Sequence, residues 1–113
     1  MTYVRKKQVK GQTYFQLVES KRVNGKPRQR VIMHLSKEPT VDEALESWPK
    51  EIQYLRRRAK WHGARYEKLP EEIKNERYYK ENFKDIADSA KRQADALQAR
   101  LNKLRNLRKN GVA

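Results

Sequence analysis

The chain has 113 residues, of which 28 are Lys or Arg and 14 are Asp or Glu, giving a formal charge of +14 and a pI near 10.2. This is the length of one small domain with an extension, and its apolar residues contain no run long enough for a membrane-spanning helix or a secretory leader. The lack of cysteine excludes disulfides, zinc knuckles and thiol catalysis, and fits a reducing, cytoplasmic setting, on the nucleoid if the source is prokaryotic.

Residues 1–37 form the first segment, with ten Lys or Arg against the single acid Glu19. Two apolar-rich stretches, 12–22 and 26–35, flank Asn24-Gly25, a dipeptide that favours positive φ at both turn positions and so predicts a tight type I′ hairpin. That turn places Val23 opposite Lys26, Arg22 opposite Pro27, Glu19 opposite Arg30, Val18 opposite Val31 and Leu17 opposite Ile32. Pro27 then belongs on an edge strand. Residues 2–8 pair back through Lys10-Gly11, completing a three-stranded meander. Strict alternation puts Tyr3, Tyr14, Val18, Val31, Met33 and Leu35 on one face, and Val4, Phe15, Leu17 and Ile32 on the other. Apolar residues run out toward Asn24-Gly25, where Lys21, Arg22, Lys26, Arg28 and Arg30 crowd together. With Arg5 and Lys7, they are the first candidates for contacting nucleic acid, since a β-ribbon fits the major groove of DNA. A protective edge hairpin would need fewer charges.

Residues 38–63 form a second, neutral segment. Thr40-Val41-Asp42-Glu43 has the form of a capping box and starts a helix. Pro49 predicts a break or kink, and Gly63 a C-terminal stop. Arg56, Arg57, Arg58 and Lys60 read as a basic band on the solvent side of this helix, a second candidate contact surface. Residues 64–113 supply a linker and a long basic helix, beginning at Leu69-Pro70-Glu71-Glu72 and running to Asn110-Gly111, about 60 Å if unbroken. Phe83, Ala87, Ala90, Ala94, Leu97, Leu101 and Leu104 follow a heptad pattern. Phe83, Ala90, Leu97, Leu101 and Leu104 are therefore candidates for self-association, with packing inside the chain as the other solution.

Catalytic chemistry is thin. His34 and His62 are not at ligand spacing, no phosphate-binding glycine loop or nucleophile elbow occurs, and the helical acids are explained by pairing such as Lys84–Asp88. No metal, cofactor or catalytic residue is expected. The aromatics Tyr3, Tyr14 and Phe15 suit base stacking in principle, but at this spacing they fit the core of a small sheet.

Tyr3-Val4-Arg5-Lys6-Lys7, Lys10-Gly11, Tyr14-Phe15, Leu17-Val18-Glu19-Ser20, Asn24-Gly25-Lys26, Arg28-Gln29-Arg30-Val31 and His34-Leu35 resemble the N-terminal segment of certain DDE-class insertion-sequence transposases. The same stretch is similar to the three-stranded DNA-reading domains at the start of some recombinases. The transposase resemblance covers about the first 35 residues and, loosely, the helix at 40–58. It implies a β-meander and helical region that help to bind an element's DNA ends. A ribonuclease-H-like catalytic core with its three acids does not fit in 113 residues, so the resemblance implies a stand-alone binding part.

The sequence thus predicts an α+β protein: a small antiparallel sheet followed by helices, the last long and coiled-coil-like. Its expected role is non-catalytic nucleic-acid binding, with double-stranded DNA preferred. An RNA-binding subunit of a ribonucleoprotein, and an adaptor that recruits a protein partner or a second copy through the C-terminal helix, are the alternatives. No membrane partner is expected.

Overall fold

The computed structural model describes residues 2–112. Strands β1 (Thr2–Val9), β2 (Gln12–Val23) and β3 (Lys26–Ser36) form one antiparallel sheet in the order β1-β2-β3. Both turns use two successive left-handed residues: Lys10 and Gly11 at φ 51° and 79°, Asn24 and Gly25 at 55° and 77°. This is the type I′ geometry, whose twist matches that of the strands it joins. The expected meander is present, with Pro27 on an edge strand.

Near the hairpin turn the register agrees with the sequence reading, from Val23 opposite Lys26 to Val18 opposite Val31. Beyond that pair it departs. Leu17 faces Met33 rather than Ile32, and Phe15 faces Ser36, because β3 gains an extra residue at each of two irregularities. An inserted residue reverses the in–out alternation locally. The neighbours Gln16, Leu17 and Val18 are accordingly all buried, and the two separate faces expected from strict alternation do not persist at this end of the sheet.

Helix α1 (Val41–Glu67) starts where the Glu43 amide donates to the Thr40 hydroxyl at 3.1 Å. It runs on through Pro49, so of the expected break or kink there is no break, and contrary to expectation it does not stop at Gly63. Val41, Ala44, Trp48, Ile52, Leu55 and Tyr66 recur at helical spacing and are all buried. A break would throw this stripe out of phase, exposing side chains whose burial stabilises by roughly 1.5–3 kcal/mol each. That outweighs about 3 kcal/mol for an interior proline and about 1 kcal/mol for a glycine.

The last helix begins later than the sequence suggests. Pro70 caps only a single turn, α2 (Glu71–Lys74), and Glu76 is extended at φ −65°, ψ 139°. The Tyr66 hydroxyl donates to the Lys74 carbonyl at 3.0 Å, taking the acceptor that a continued helix would offer to Tyr78. α3 (Arg77–Tyr79), a π-helical turn (Lys80–Lys84) and α4 (Asp85–Lys109) then make one helical run of about 33 residues. It ends as expected: Gly111 has φ 74°, and the Val112 amide reaches back to the Leu107 carbonyl at 2.8 Å.

Two compact units result, one made of the chain up to Ser47 with the segment from Leu101 onward, the other of Trp48–Arg100. In the first, Leu17, Val18, Met33, Leu35, Val41, Ala44, Leu101 and Leu104 are buried. Thr2 Oγ1 donates to the Val112 carbonyl at 2.6 Å, and Arg108 pairs with Asp42 at 2.6 Å. In the second, Trp48, Ile52, Leu55, Tyr66, Ala87, Ala90, Ala94 and Leu97 are buried. There the Arg100 guanidinium lies 4.8 Å over the Trp48 ring, Arg56 meets Asp95 at 3.2 Å, and a Cβ on Gly63 would lie 3.8 Å from that of Ala87. Positions on α1 rise as their partners on α4 fall, so within this unit the two helices run antiparallel. Of the heptad positions, Ala90 and Leu97 are buried and Phe83 half-buried in the second unit, and Leu101 and Leu104 are buried in the first.

Candidate nucleic-acid interface

The first described residue of β1, Thr2, pairs with Glu19, so from Ser20 to Gln29 only β2 and β3 remain. These four pairs and their turn form a two-stranded ribbon about 13 Å long beyond the sheet. Every residue from Lys21 to Val31 is exposed. Apolar packing ends at the Val18–Val31 level, which leaves the basic residues beyond it facing solvent.

Glu19 divides these bases into two sets. Its side chain is only 18% exposed and accepts from Lys21 at 3.3 Å and Arg30 at 2.9 Å. The hydrogen bond from Lys21 first, then the charges of Lys21 and Arg30, hold the Glu19 carboxyl below the usual carboxylate range despite the opposing effect of burial. Arg22, Lys26 and Arg28 have no ion-pair partner among the described residues. They cluster at the ribbon's tip.

Arg5 has a different environment from the one expected. Its guanidinium donates to Gln29 at 3.0 Å and to Gln16 at 2.8 Å, and Gln16 Nε2 lies 3.3 Å from His34 Nδ1. Gln16 is 5% exposed, and a buried amide must find partners. Arg5 therefore stitches the three strands together across the sheet. Lys7 is exposed on β1, opposite Tyr14.

Arg56, Arg57, Arg58 and Lys60 do not form one band, because adjacent residues on a helix point about 100° apart. Arg56 is held by Asp95. Arg58 turns into an open cavity of about 430 Å³ that Tyr54, Glu81 and Asp85 also line. Arg57 and Lys60 share a third face with Trp61, Ala64, Arg65 and Lys68. Arg65 and Lys68 are not among the sequence-derived candidates, and Trp61, which the sequence offers as cover for the sheet or the helix seam, is 55% exposed instead. Their spacing of 57, 60, 61, 64, 65 and 68 is a helical stripe, and it becomes visible only once α1 is allowed to continue past Gly63. Nearby, His62 Nδ1 is buried without a hydrogen-bond partner among the described residues. Burial first, then the charges of Arg58 and Arg65, pushes the His62 imidazole below its ordinary pKa.

Among the described residues no three His, Asp or Glu side chains gather where they could hold a metal ion, and no helix is long and apolar enough to cross a membrane. The chain matches the IS1634 family transposase, N-terminal domain, over residues 3–106, which is most of its length. No curated protein and no solved structure matches it.

Proposed function

The chain belongs to the IS1634 transposase N-terminal domain family, and from that premise we propose that it is a non-catalytic binding module that holds double-stranded DNA through the β2–β3 ribbon. The observation that carries this reading is the ribbon tip: Arg22, Lys26 and Arg28 are exposed, unpaired among the described residues and beyond the reach of the core. Charge this concentrated attracts a polyanion, and releasing counterions from the duplex drives the association. A two-stranded ribbon also fits a major groove about 12 Å wide. In that position Arg28 and Arg22 have the reach to contact phosphates or guanine edges, and Lys21 and Arg30 join them when Glu19 yields its partners. A DNA-bound module of this kind works where the element's DNA is, in the cytoplasm.

An anisotropy titration tests the reading. The triple variant Arg22→Ala, Lys26→Ala, Arg28→Ala retains the sheet, because all three side chains are exposed, and it should bind duplex DNA at least about tenfold more weakly at moderate salt. The parent should also prefer duplex DNA to a structured RNA competitor. Unchanged duplex affinity in the variant would remove the ribbon as the contact surface, and preference for the RNA would assign the charge to a ribonucleoprotein role.

A further inference from the structure

Trp61 is 55% exposed, while the chain's other tryptophan, Trp48, is 2% exposed. An indole left in water at the centre of a helix face carries a cost that a partner would relieve. Its surroundings describe that partner. Arg57, Lys60, Ala64, Arg65 and Lys68 line with it an open cleft of about 470 Å³. The cleft has four cations and no acid, and none of the four makes an ion pair among the described residues. The Arg65 guanidinium lies 4.7 Å from the Trp61 ring centroid and 5.9 Å from that of Phe83. The His62 ring meets Trp61 edge-on, with centroids 4.7 Å apart at 88°. The indole is thus fixed in orientation from one side and by its neighbour on the helix, while much of its surface stays open.

We propose that this face of α1, with Lys68 in the turn just after it, binds an unpaired segment of single-stranded DNA, with a base stacked on Trp61 and the adjoining phosphates on Arg57, Lys60, Arg65 and Lys68. Charge complementarity selects a polyanion, and the exposed indole selects one whose bases are free. In a duplex the base faces are already stacked on one another, so it would engage the cations alone. Stacking on aromatic side chains with a cationic groove along the backbone is the general mode of single-strand binders, and Arg65 adds a guanidinium plane beside the indole. The site is separate from the ribbon that holds duplex, and does not depend on that reading being correct.

Tryptophan fluorescence provides the test. A twelve-residue oligothymidine titrated into the full chain at about 150 mM salt should quench emission, and because Trp48 is buried beneath Arg100, the change should disappear in Trp61→Ala. By anisotropy, Trp61→Ala should bind the labelled oligothymidine about tenfold more weakly, whereas Trp61→Phe, which keeps an aromatic face, should lose less than about threefold. Trp61 is exposed, so neither variant is expected to disturb folding, and circular dichroism checks this. The ribbon variant Arg22→Ala, Lys26→Ala, Arg28→Ala should leave the quenching in place, which separates failure here from failure of the duplex reading. The proposal is overturned if the oligothymidine gives no quenching at that salt, if Trp61→Ala binds it as tightly as the parent, or if a duplex of equal phosphate content quenches Trp61 to the same extent.

Discussion

Glu19 pairs with Lys21 and Arg30, so if the ribbon holds DNA as proposed, it competes with phosphates for these two bases. Its removal by Glu19→Gln frees Lys21 and Arg30 and cancels one negative charge, so duplex affinity should rise, by about threefold given the modest strength of exposed ion pairs. An anisotropy titration checks this, and weaker binding would mean that Glu19 positions those bases rather than restraining them. Acid should act at two residues in separate windows. His62 has a folded pKa below its ordinary value of 6.5, so below that pH the unfolded chain takes up the proton more readily. Its contribution to stability is full above about pH 6.5 and is lost as pH falls through the depressed folded value. Glu19, with a carboxyl held below 4.5, loses its contribution only as pH falls beneath that value. Denaturant midpoints between pH 7.5 and 5.5 should therefore decline in the parent and decline less in His62→Gln.

At the scale of elements, local signals and packing compete. Gly63 lies inside α1 without a positive φ, and a Cβ there would meet only Ala87 at an ordinary 3.8 Å. Gly63→Ala should therefore stabilise the protein by about 0.5–1 kcal/mol in urea unfolding. A loss of stability would mean that the helix ends at Gly63 after all. What was legible in the sequence was whatever a few adjacent residues decide by themselves: the Asn24-Gly25 turn, the Thr40 cap, the Gly111 stop and the register up to Val18–Val31. What was not legible depends on distant partners. Pro49 and Gly63 carry local penalties that a buried stripe overrides. The irregularities in β3 replace one apolar residue by another opposite Leu17, so the pattern alone cannot place them. The delayed start of the final helix turns on a hydrogen bond from Tyr66, eight residues before its acceptor Lys74. The candidate site suffered in the same way. The exposed ribbon bases could be placed from the sequence because a hairpin presents them by local geometry, whereas Arg65 lies past the helix end expected at Gly63 and so could not be joined to Arg57, Lys60 and Trp61.

Across the whole molecule a charge of +14 favours polyanions without regard to surface, so a measured affinity by itself would say little about which surface is used. The dependence of binding on salt is more specific, because each phosphate contact contributes about −0.9 to the slope of log K against log salt on a duplex. If Arg22, Lys26 and Arg28 at the ribbon tip each contact a phosphate, as proposed, they give a slope of roughly −2.7, and more if Lys21 and Arg30 join them. The central claim is that the tip is the duplex-contacting surface, and it is tested most directly by comparing this slope in the parent and in the variant Lys26→Ala, Arg28→Ala. The account predicts that the slope magnitude falls by about 2 and that binding weakens for every duplex sequence alike. An unchanged slope with unchanged affinity would contradict it and shift the duplex contact away from the ribbon.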